Sequence, residues 1–345
     1  MTLTSDVTVA RSGFAPLVQQ IRAHGLLDRR RGRYAWLIGL DLLAYGAVWV
    51  AVALTGVSWW QAVLVLPAAL FTTRLYFIGH DAGHGQIAAT RRANRLLGLL
   101  VGNLGLGLSY GWWTDKHNRH HANPNHQDKD PDVSPGVLVW STDQAAGRRG
   151  AFTRWFTRNQ GRLFVPLLLL EGINLKVSSV RYIVGRCRRG DRRGQAWVEA
   201  LLLCAHFGGY LGLLFTVLSP GAAIAFVLAH QALLGLHLGC AFAPNHKGMP
   251  MPGPGERWDH LRKQVLTSRN VRGGAVTDWF LGGLNYQIEH HLFPSMPRPH
   301  LRRAQPLVRE HCRLVGLPYT EEGPIESYVT ALRHLDAVGG GAKAA

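Results

Sequence analysis

The chain has 345 residues, 47% of them hydrophobic and 17% charged, with a formal net charge of +17. Its apolar residues gather in long runs divided by Arg- and His-rich segments, the pattern of a chain embedded in a bilayer rather than of a basic nucleic-acid-binding domain. The four cysteines, Cys187, Cys204, Cys240 and Cys312, form no CxxC pair, which excludes a cysteine-held zinc or iron–sulfur site and argues against a disulfide framework.

Residues 1–33 are polar and Arg-rich and read as a cytoplasmic N-terminal segment. Tyr34–Leu54 is a first span despite Asp41, too long for a signal peptide and therefore uncleaved. After the uncharged turn Gly56–Trp60, Gln61–Gly79 is a second span, with Arg74 near its end. Leu96–Tyr110 is apolar but Gly-rich and only about 15 residues long, short for a span, so it is expected to lie in the interface or dip in and out. Arg162–Val180 is broken by Glu171, Asn174 and Lys176 and is placed at the interface too. The run Arg186–Arg193 reads as topogenic and lipid-facing. Ala196–Leu218 and Gly221–Phe242 are two further spans, joined by the uncharged turn Ser219–Pro220. Only those two turns lack Lys and Arg, so they are expected outside and every other connection in the cytoplasm, facing anionic lipid. The expected fold is an all-α membrane protein: four transmembrane helices as two hairpins, interfacial helices, and a cytoplasmic helical cap. Residues 34–310 form its body, and 311–345 a C-terminal segment ending in a disordered Gly/Ala tail.

Three groups stand out among the 17 histidines. His80 and His84 form an HxxxH where the second span reaches the cytoplasm, and residues four apart share a helical face. His117, His120 and His121 form an HxxHH whose offsets place three imidazoles side by side, diverging enough to serve two adjacent ions. Gln287, His290 and His291 repeat that geometry with an amide first. His246 follows the fourth span. Imidazole suits iron, copper, zinc and nickel. Attack on an unactivated C–H bond needs an oxidant made from O₂, borrowed from a metal or a flavin. With no GxGxxG and no CxxCH, a histidine-rich dinuclear centre is the oxidant these residues build.

The wording around the groups is Gly79-His80-Asp81-Ala82-Gly83-His84, Lys116-His117-Asn118-Arg119-His120-His121, Asp130-Pro131-Asp132, and Asn285-Tyr286-Gln287-Ile288-Glu289-His290-His291-Leu292-Phe293-Pro294. From about residue 35 to 310 the chain resembles the membrane fatty acid desaturases, with their three histidine boxes. Gln287 at the head of the third box resembles the front-end members, which act between an existing double bond and the carboxyl end. The resemblance implies four spans under a cytoplasmic cap holding two iron ions, with O₂ as co-substrate. It implies His80, His84, His117, His120, His121, His246, His290 and His291 as ligands. Gln287 ligates weakly, binds through water, or only supports a neighbour. Asp81, Asp128, Asp130, Asp132 and Glu289 are candidates to accept hydrogen bonds from the ligand imidazoles, or are solvated acids and turn caps.

The activity implied is O₂-dependent insertion of a cis double bond into a long-chain fatty acyl group drawn from membrane lipid or acyl-CoA. The rivals are hydroxylation or ketolation of a lipid, alkane or carotenoid at the same centre, and a non-oxidative membrane metal-binding protein. Front-end relatives often carry a fused cytochrome b5 domain with a His-Pro-Gly-Gly motif. That motif is missing here, so a separate ferredoxin or cytochrome is the expected electron donor, steered by the basic cytoplasmic surface. The Arg/Ala/Gly-rich composition suggests a bacterial plasma membrane. His206, His230 and His237 read as structural histidines within spans, and His126 as too loosely placed to ligate. His24, His260, His300, His311 and His334 read as surface residues. Trp112, Trp113 and Tyr286 would wall an acyl channel or anchor the interface.

Overall fold

In the computed structural model, residues 13–190 and 193–341 are described. They are overwhelmingly helical. In chain order the elements are α1 (Phe14–Ala23), α2 (Arg31–Thr55), α3 (Gln61–Gly83), α4 (Arg91–Leu99), a π-helical stretch (Leu100–Gly105), α5 (Tyr110–Ala122), α6 (Thr142–Ala146), α7 (Ala151–Arg158), α8 (Gln160–Arg189), α9 (Arg193–Val217) and α10 (Pro220–His246). Then follow α11 (His260–Leu266), β1 (Asn270–Val271), α12 (Ala275–Phe280), α13 (Gln287–Leu292), α14 (Leu301–Leu314), β2 (Glu321–Glu322) and α15 (Pro324–Gly341). The two short strands pair in parallel, Asn270 opposite Glu321 and Val271 opposite Glu322. The expected tail beyond Gly341 lies outside the described residues.

Among the described residues five helices, α2, α3, α8, α9 and α10, are long and apolar enough to cross a membrane. The hairpins α2–α3 and α9–α10 stand where the apolar runs put them. α2 fully buries only Tyr34, Asp41 and Val52 and packs Ile38, Tyr45, Val48 and Trp49 inward, while Trp36, Leu40, Leu42, Leu43, Val50 and Leu54 stand exposed, as on a lipid-facing helix. α3 is the buried centre of the bundle. Gln61 closes the first hairpin by donating to the carbonyls of Val52 and Gly56, both at 2.9 Å, which the end of α2 leaves without helical partners. Asp41 and Arg74, interruptions in two apolar runs, pair with each other at 3.1 Å.

α8 departs from expectation. Instead of a broken interfacial segment it is one continuous helix of 30 residues. The polar residues that suggested a break find partners without disturbing the backbone. Asn174 donates to Glu171 at 3.1 Å, and the Lys176 ammonium donates to Leu106 O at 2.8 Å. α8 packs tightly on α10 through glycines. A Cβ at Gly235 would stand 2.4 Å from Leu168 O, and one at Gly172 would stand 2.3 Å from Gln231 O.

The short apolar run does dip among the long helices, as the π-helical stretch Leu100–Gly105 followed by a turn at Gly107, where φ is +66°. Such backbone needs partners for its carbonyls away from water. Three helices supply them: His206 to Leu104 O at 2.9 Å, Tyr45 to Gly105 O at 3.3 Å, and Lys176 to Leu106 O.

Beyond the spans, a second core gathers Leu17 and Ile21 of α1 with Leu261, Ile288, Leu292, Met296, Leu301 and Val308. This layer carries α13, and it joins α1 to the segment that follows the third box, as far as Tyr319. α15 packs along α8 and α10 through Leu335 against Phe164 and Ala243.

The glycine seam sets a clear expectation. Gly235→Val forces α8 off α10 and destabilises the detergent-solubilised protein by about 1–3 kcal/mol, read as a lower unfolding midpoint. Gly209→Ala is the control, since a Cβ there meets no atom within 4 Å among the described residues.

Candidate metal centre

Four segments deliver the histidines to one place. His80 rides the last turn of α3 and His84 caps it. His117, His120 and His121 line one side of α5, whose first turn is capped by Ser109 Oγ accepting from Trp112 N at 3.1 Å. His246 ends α10, and His290 and His291 sit on the single turn and a half of α13. The imidazoles fall into two groups: His80, His84, His117, His121 and His290 in one, and His120, His246 and His291 in the other. Within each, one ring nitrogen per residue lies within 4.8 Å of all the others. The groups share a wall, with the rings of His121 and His291 stacked at 4.1 Å.

The orientation of the rings is held from outside. His120 Nδ1 lies 2.9 Å from Asp130 Oδ2, His246 Nδ1 2.9 Å from Thr267 O, and His291 Nδ1 3.0 Å from Gln264 Oε1. His80 Nδ1 lies 3.3 Å from Asp81 Oδ1. Carboxylate and carbonyl oxygens accept only, so these four rings carry their proton on Nδ1 and turn the Nε2 lone pair inward. The Nε2 atoms of His80 and His291 are buried with no hydrogen-bond partner among the described residues.

In the first group Nε2 of His84, His117, His121 and His290 stand 2.9–3.1 Å apart along the chain of contacts. Metal–nitrogen bonds of about 2.1 Å at right angles would separate neighbouring nitrogens by about 3.0 Å. Nitrogens converging at that spacing beside the orphaned Nε2 of His80, and the orphaned Nε2 of His291 beside His120 and His246, fit a cation, so the residues present suit a metal in each group.

The electrostatics agree. Burial, then the neighbouring imidazoles, hold His84, His117, His121, His290 and His291 well below the ordinary histidine value. They are therefore neutral and ready to ligate. His120 is the exception: burial opposes its charge, but the Asp130 and Asp132 carboxylates outweigh burial and raise it. His120, Asp130 and Asp132 form a third cluster of ligand-type groups. Its cation is already present, because the Lys116 ammonium pairs with Asp132.

The remaining sequence candidates are placed as follows. Gln287 borders the second group, its Nε2 2.9 Å from His246 Nε2 and its Oε1 accepting from Asn245 at 3.3 Å. Glu289 turns away from the rings. It accepts from Tyr319 OH at 2.7 Å and Asn270 Nδ2 at 2.8 Å, and burial pushes its carboxyl up to about 7. Asp128 is exposed, and only its backbone N–H reaches His126 Nδ1, at 3.3 Å. His126 is buried outside both groups. Trp113 stacks on His117 with ring centres 4.4 Å apart and donates to Tyr76 OH at 2.5 Å. Trp112 lies under Lys116, and Tyr286 belongs to the core around α13.

His206, His230 and His237 are structural, bonded to Leu104 O, to Thr72 and Tyr210, and to Phe280 O. His300 and His311 are not surface residues but buried, because each spends a ring nitrogen on a carbonyl of the N-terminal segment, Leu26 O and Gly13 O.

Several supporting residues carry no sequence signal. Gln264 holds both His291 Nδ1 and, at 2.9 Å, His121 O. Arg269 is fully buried and binds the carbonyls of Pro244, Lys247 and Ser327, tying the end of α10 to the start of α15. Its neighbour Asn270 holds α13 by accepting from Ile288 N at 2.9 Å. None belongs to a spaced motif, so no periodicity marks them.

The depressed imidazoles make the metal-free protein acid-sensitive. Below an unfolded-state histidine pKa of about 6.5 the unfolded chain binds protons that the folded cluster refuses, so stability falls as pH drops. Lowering the pH from 7.5 to 5.5 is expected to lower the unfolding temperature of the apo-protein, and added ferrous iron to raise it at pH 7.5 but less at 5.5. An unfolding temperature that stays level across this range overturns the assignment of neutral imidazoles.

Comparison with known proteins agrees with this geometry. The chain is 32% identical over 313 residues to a Delta(8)-fatty-acid desaturase of Helianthus annuus, covering 85% of this chain and 64% of the relative. It is 30% identical to an acyl-lipid (9-3)-desaturase of Physcomitrium patens, covering 82% and 55%, and 30% identical to fatty acid desaturase 3 of Bos taurus, covering 94% and 72%. The chain thus spans just over half to under two thirds of the length of the first two. The sequence profile of the fatty acid desaturases matches residues 57–323. With its imidazoles converging from the three boxes and from α10, the chain belongs to the fatty acid desaturase family.

Proposed function

We propose that this chain is an O₂-dependent acyl desaturase that inserts a cis double bond into a long-chain acyl group at a pair of irons held by eight histidines. The observation that carries the reading is the convergence of His80, His84, His117, His121 and His290 beside His120, His246 and His291, with the Nδ1 atoms of His80, His120, His246 and His291 anchored by oxygens and the inner Nε2 atoms of His80 and His291 left without a partner among the described residues. Bound iron would supply O₂ activation and the store of electrons that removal of two hydrogens from unactivated carbons requires. The names of the relatives support an acyl or acyl-lipid substrate.

The protein's part is orientation and exclusion of water. Asp81, Asp130, Thr267 and Gln264 keep the ring protons on the outside, so the lone pairs stay available. Trp113, packed on His117 and bonded to Tyr76, closes the cluster on the side of the spans, where an acyl chain would lie. Burial of the rings keeps bulk water from the reacting carbons.

A four-span arrangement with the cap in the cytoplasm fits these contacts. His84 and His246 end α3 and α10 at one level, which requires both hairpins to open toward the same side. Gln160, starting α8, bonds Val139 and Leu335 of the cap layer. Glu199, near the start of α9, bonds Ser109 Oγ at 2.6 Å and Gly111 N at 3.1 Å, at the root of α5. Both ends of α8 thus lead to the side of the histidines, which favours an oblique helix over a fifth crossing. The Arg-rich connections support a cytoplasmic position for that side. Electrons would come from an acidic ferredoxin or cytochrome-type partner. The bacterial reading rests on composition alone, since the relatives are eukaryotic.

The test is a fatty-acid profile of a host with and without the expressed chain. A new mono-olefinic position is expected, and His120→Ala or His291→Ala should abolish it while the protein remains in the membrane. An oxygenated product without an alkene would overturn the reaction class, and iron binding without O₂ consumption would overturn the oxidase itself.

A further inference from the structure

Resting on the metal-centre reading, we propose that Arg298 is a positioning residue: by holding one oxygen of Asp81 it orients His80 and tempers that imidazole's donor strength toward a bound metal.

Asp81 stands between a ligand and a cation. Its Oδ1 faces His80 Nδ1 at 3.3 Å, while Oδ2 accepts from Arg298 Nε at 2.9 Å and from Tyr34 OH at 3.0 Å. Arg298 is fixed in turn. Its Nη1 donates to Gly282 O at 3.0 Å, and its backbone N–H points at Gln86 Oε1, 3.0 Å away, and at Tyr34 OH, 3.2 Å away. Gln86 Nε2 donates to Pro294 O at 2.8 Å. Tyr34, Asp81, Gln86 and Arg298 are all buried. Three distant stretches therefore meet behind one imidazole: the start of α2, the first box with the turn after it, and the segment that follows the third box.

The chemistry follows from the chain of partners. A carboxylate on Nδ1–H strengthens an imidazole as a metal donor by drawing on its proton. A guanidinium on the same carboxylate pulls charge the other way. With Arg298 present, His80 is fixed in orientation without the full donor strength that a lone buried carboxylate would give it. Tyr34 and Gln86 keep Arg298 in register and, among the described residues, hydrogen-bond to no imidazole of either group.

The full chain is purified in phosphatidylcholine nanodiscs and loaded anaerobically with ferrous iron, and its iron content and the reduction potential of the bound iron are measured. Arg298→Gln should lower the potential and weaken iron binding about 10–100-fold. Arg298→Lys should fall between that variant and wild type. The double variant Asp81→Asn/Arg298→Gln should raise the potential above wild type, because His80 then faces a neutral amide. A merely structural Arg298 predicts loss of iron and of stability in all three, with no reversal of sign. Should Arg298→Gln not fold, for want of a partner to a buried carboxylate, the double variant buries neither charge and is compared with Asp81→Asn alone: an Arg298 that acts through the carboxylate leaves the two potentials equal, and a difference between them overturns the proposal. A potential at or below wild type in the double variant overturns the proposal. A wild-type chain that takes up no iron overturns the metal-centre reading instead.

Discussion

Eight imidazoles packed out of water impose the central constraint on this structure. A buried imidazolium is costly, and eight together would repel one another as well, so most of the rings must be neutral. A neutral ring carries one donor and one acceptor, and both need a partner. For His80, His120, His246 and His291 the fold meets the donor with an oxygen placed outside the cluster: Asp81, Asp130, Thr267 O and Gln264. The acceptors are turned toward each other, where only cations satisfy them together.

The same constraint explains how the long apolar helices and the layer beyond their ends share the rings. His80, His84 and His246 stand at the ends of apolar helices and can approach only if α3 and α10 end at a common level. The partners come from α5 and α13. α13 has six residues and no stability of its own. It is held by Asn270 and by Glu289 between Asn270 and Tyr319, while Arg269 holds the end of α10. Residues beyond the third box, Tyr319, Glu322 and Ser327, thereby reach the metal centre through one dipeptide.

Polar residues inside the apolar helices serve the fold in a related way. Asp41 and Arg74 neutralise each other, and Arg74 also donates to Trp279 O at 2.6 Å. His206, Tyr45 and Lys176 stop the carbonyls at the end of the π-helical stretch from being left bare. In a medium without water, each such group must find a protein partner, so these residues knit α2, α8 and α9 to the strand of chain that leads into α5.

The amino-acid sequence by itself determined the helical class, the two hairpins and the histidines, because each depends on short-range periodicity. Runs of about 20 apolar residues define spans, and imidazoles three or four apart share a helical face. The continuity of α8 was not legible, since Glu171, Asn174 and Lys176 look like breaks until the groups that satisfy them are seen. Nor was the burial of His300 and His311, which depends on a turn from the far end of the chain. Arg298 and Tyr34 lie 264 positions apart, and Gln264, Arg269 and Asn270 sit in no repeat. Their roles arise only from through-space contacts that local spacing cannot encode. The division of the rings into a group of five and a group of three was likewise decided by tertiary structure, because it depends on which ends of four separate segments meet.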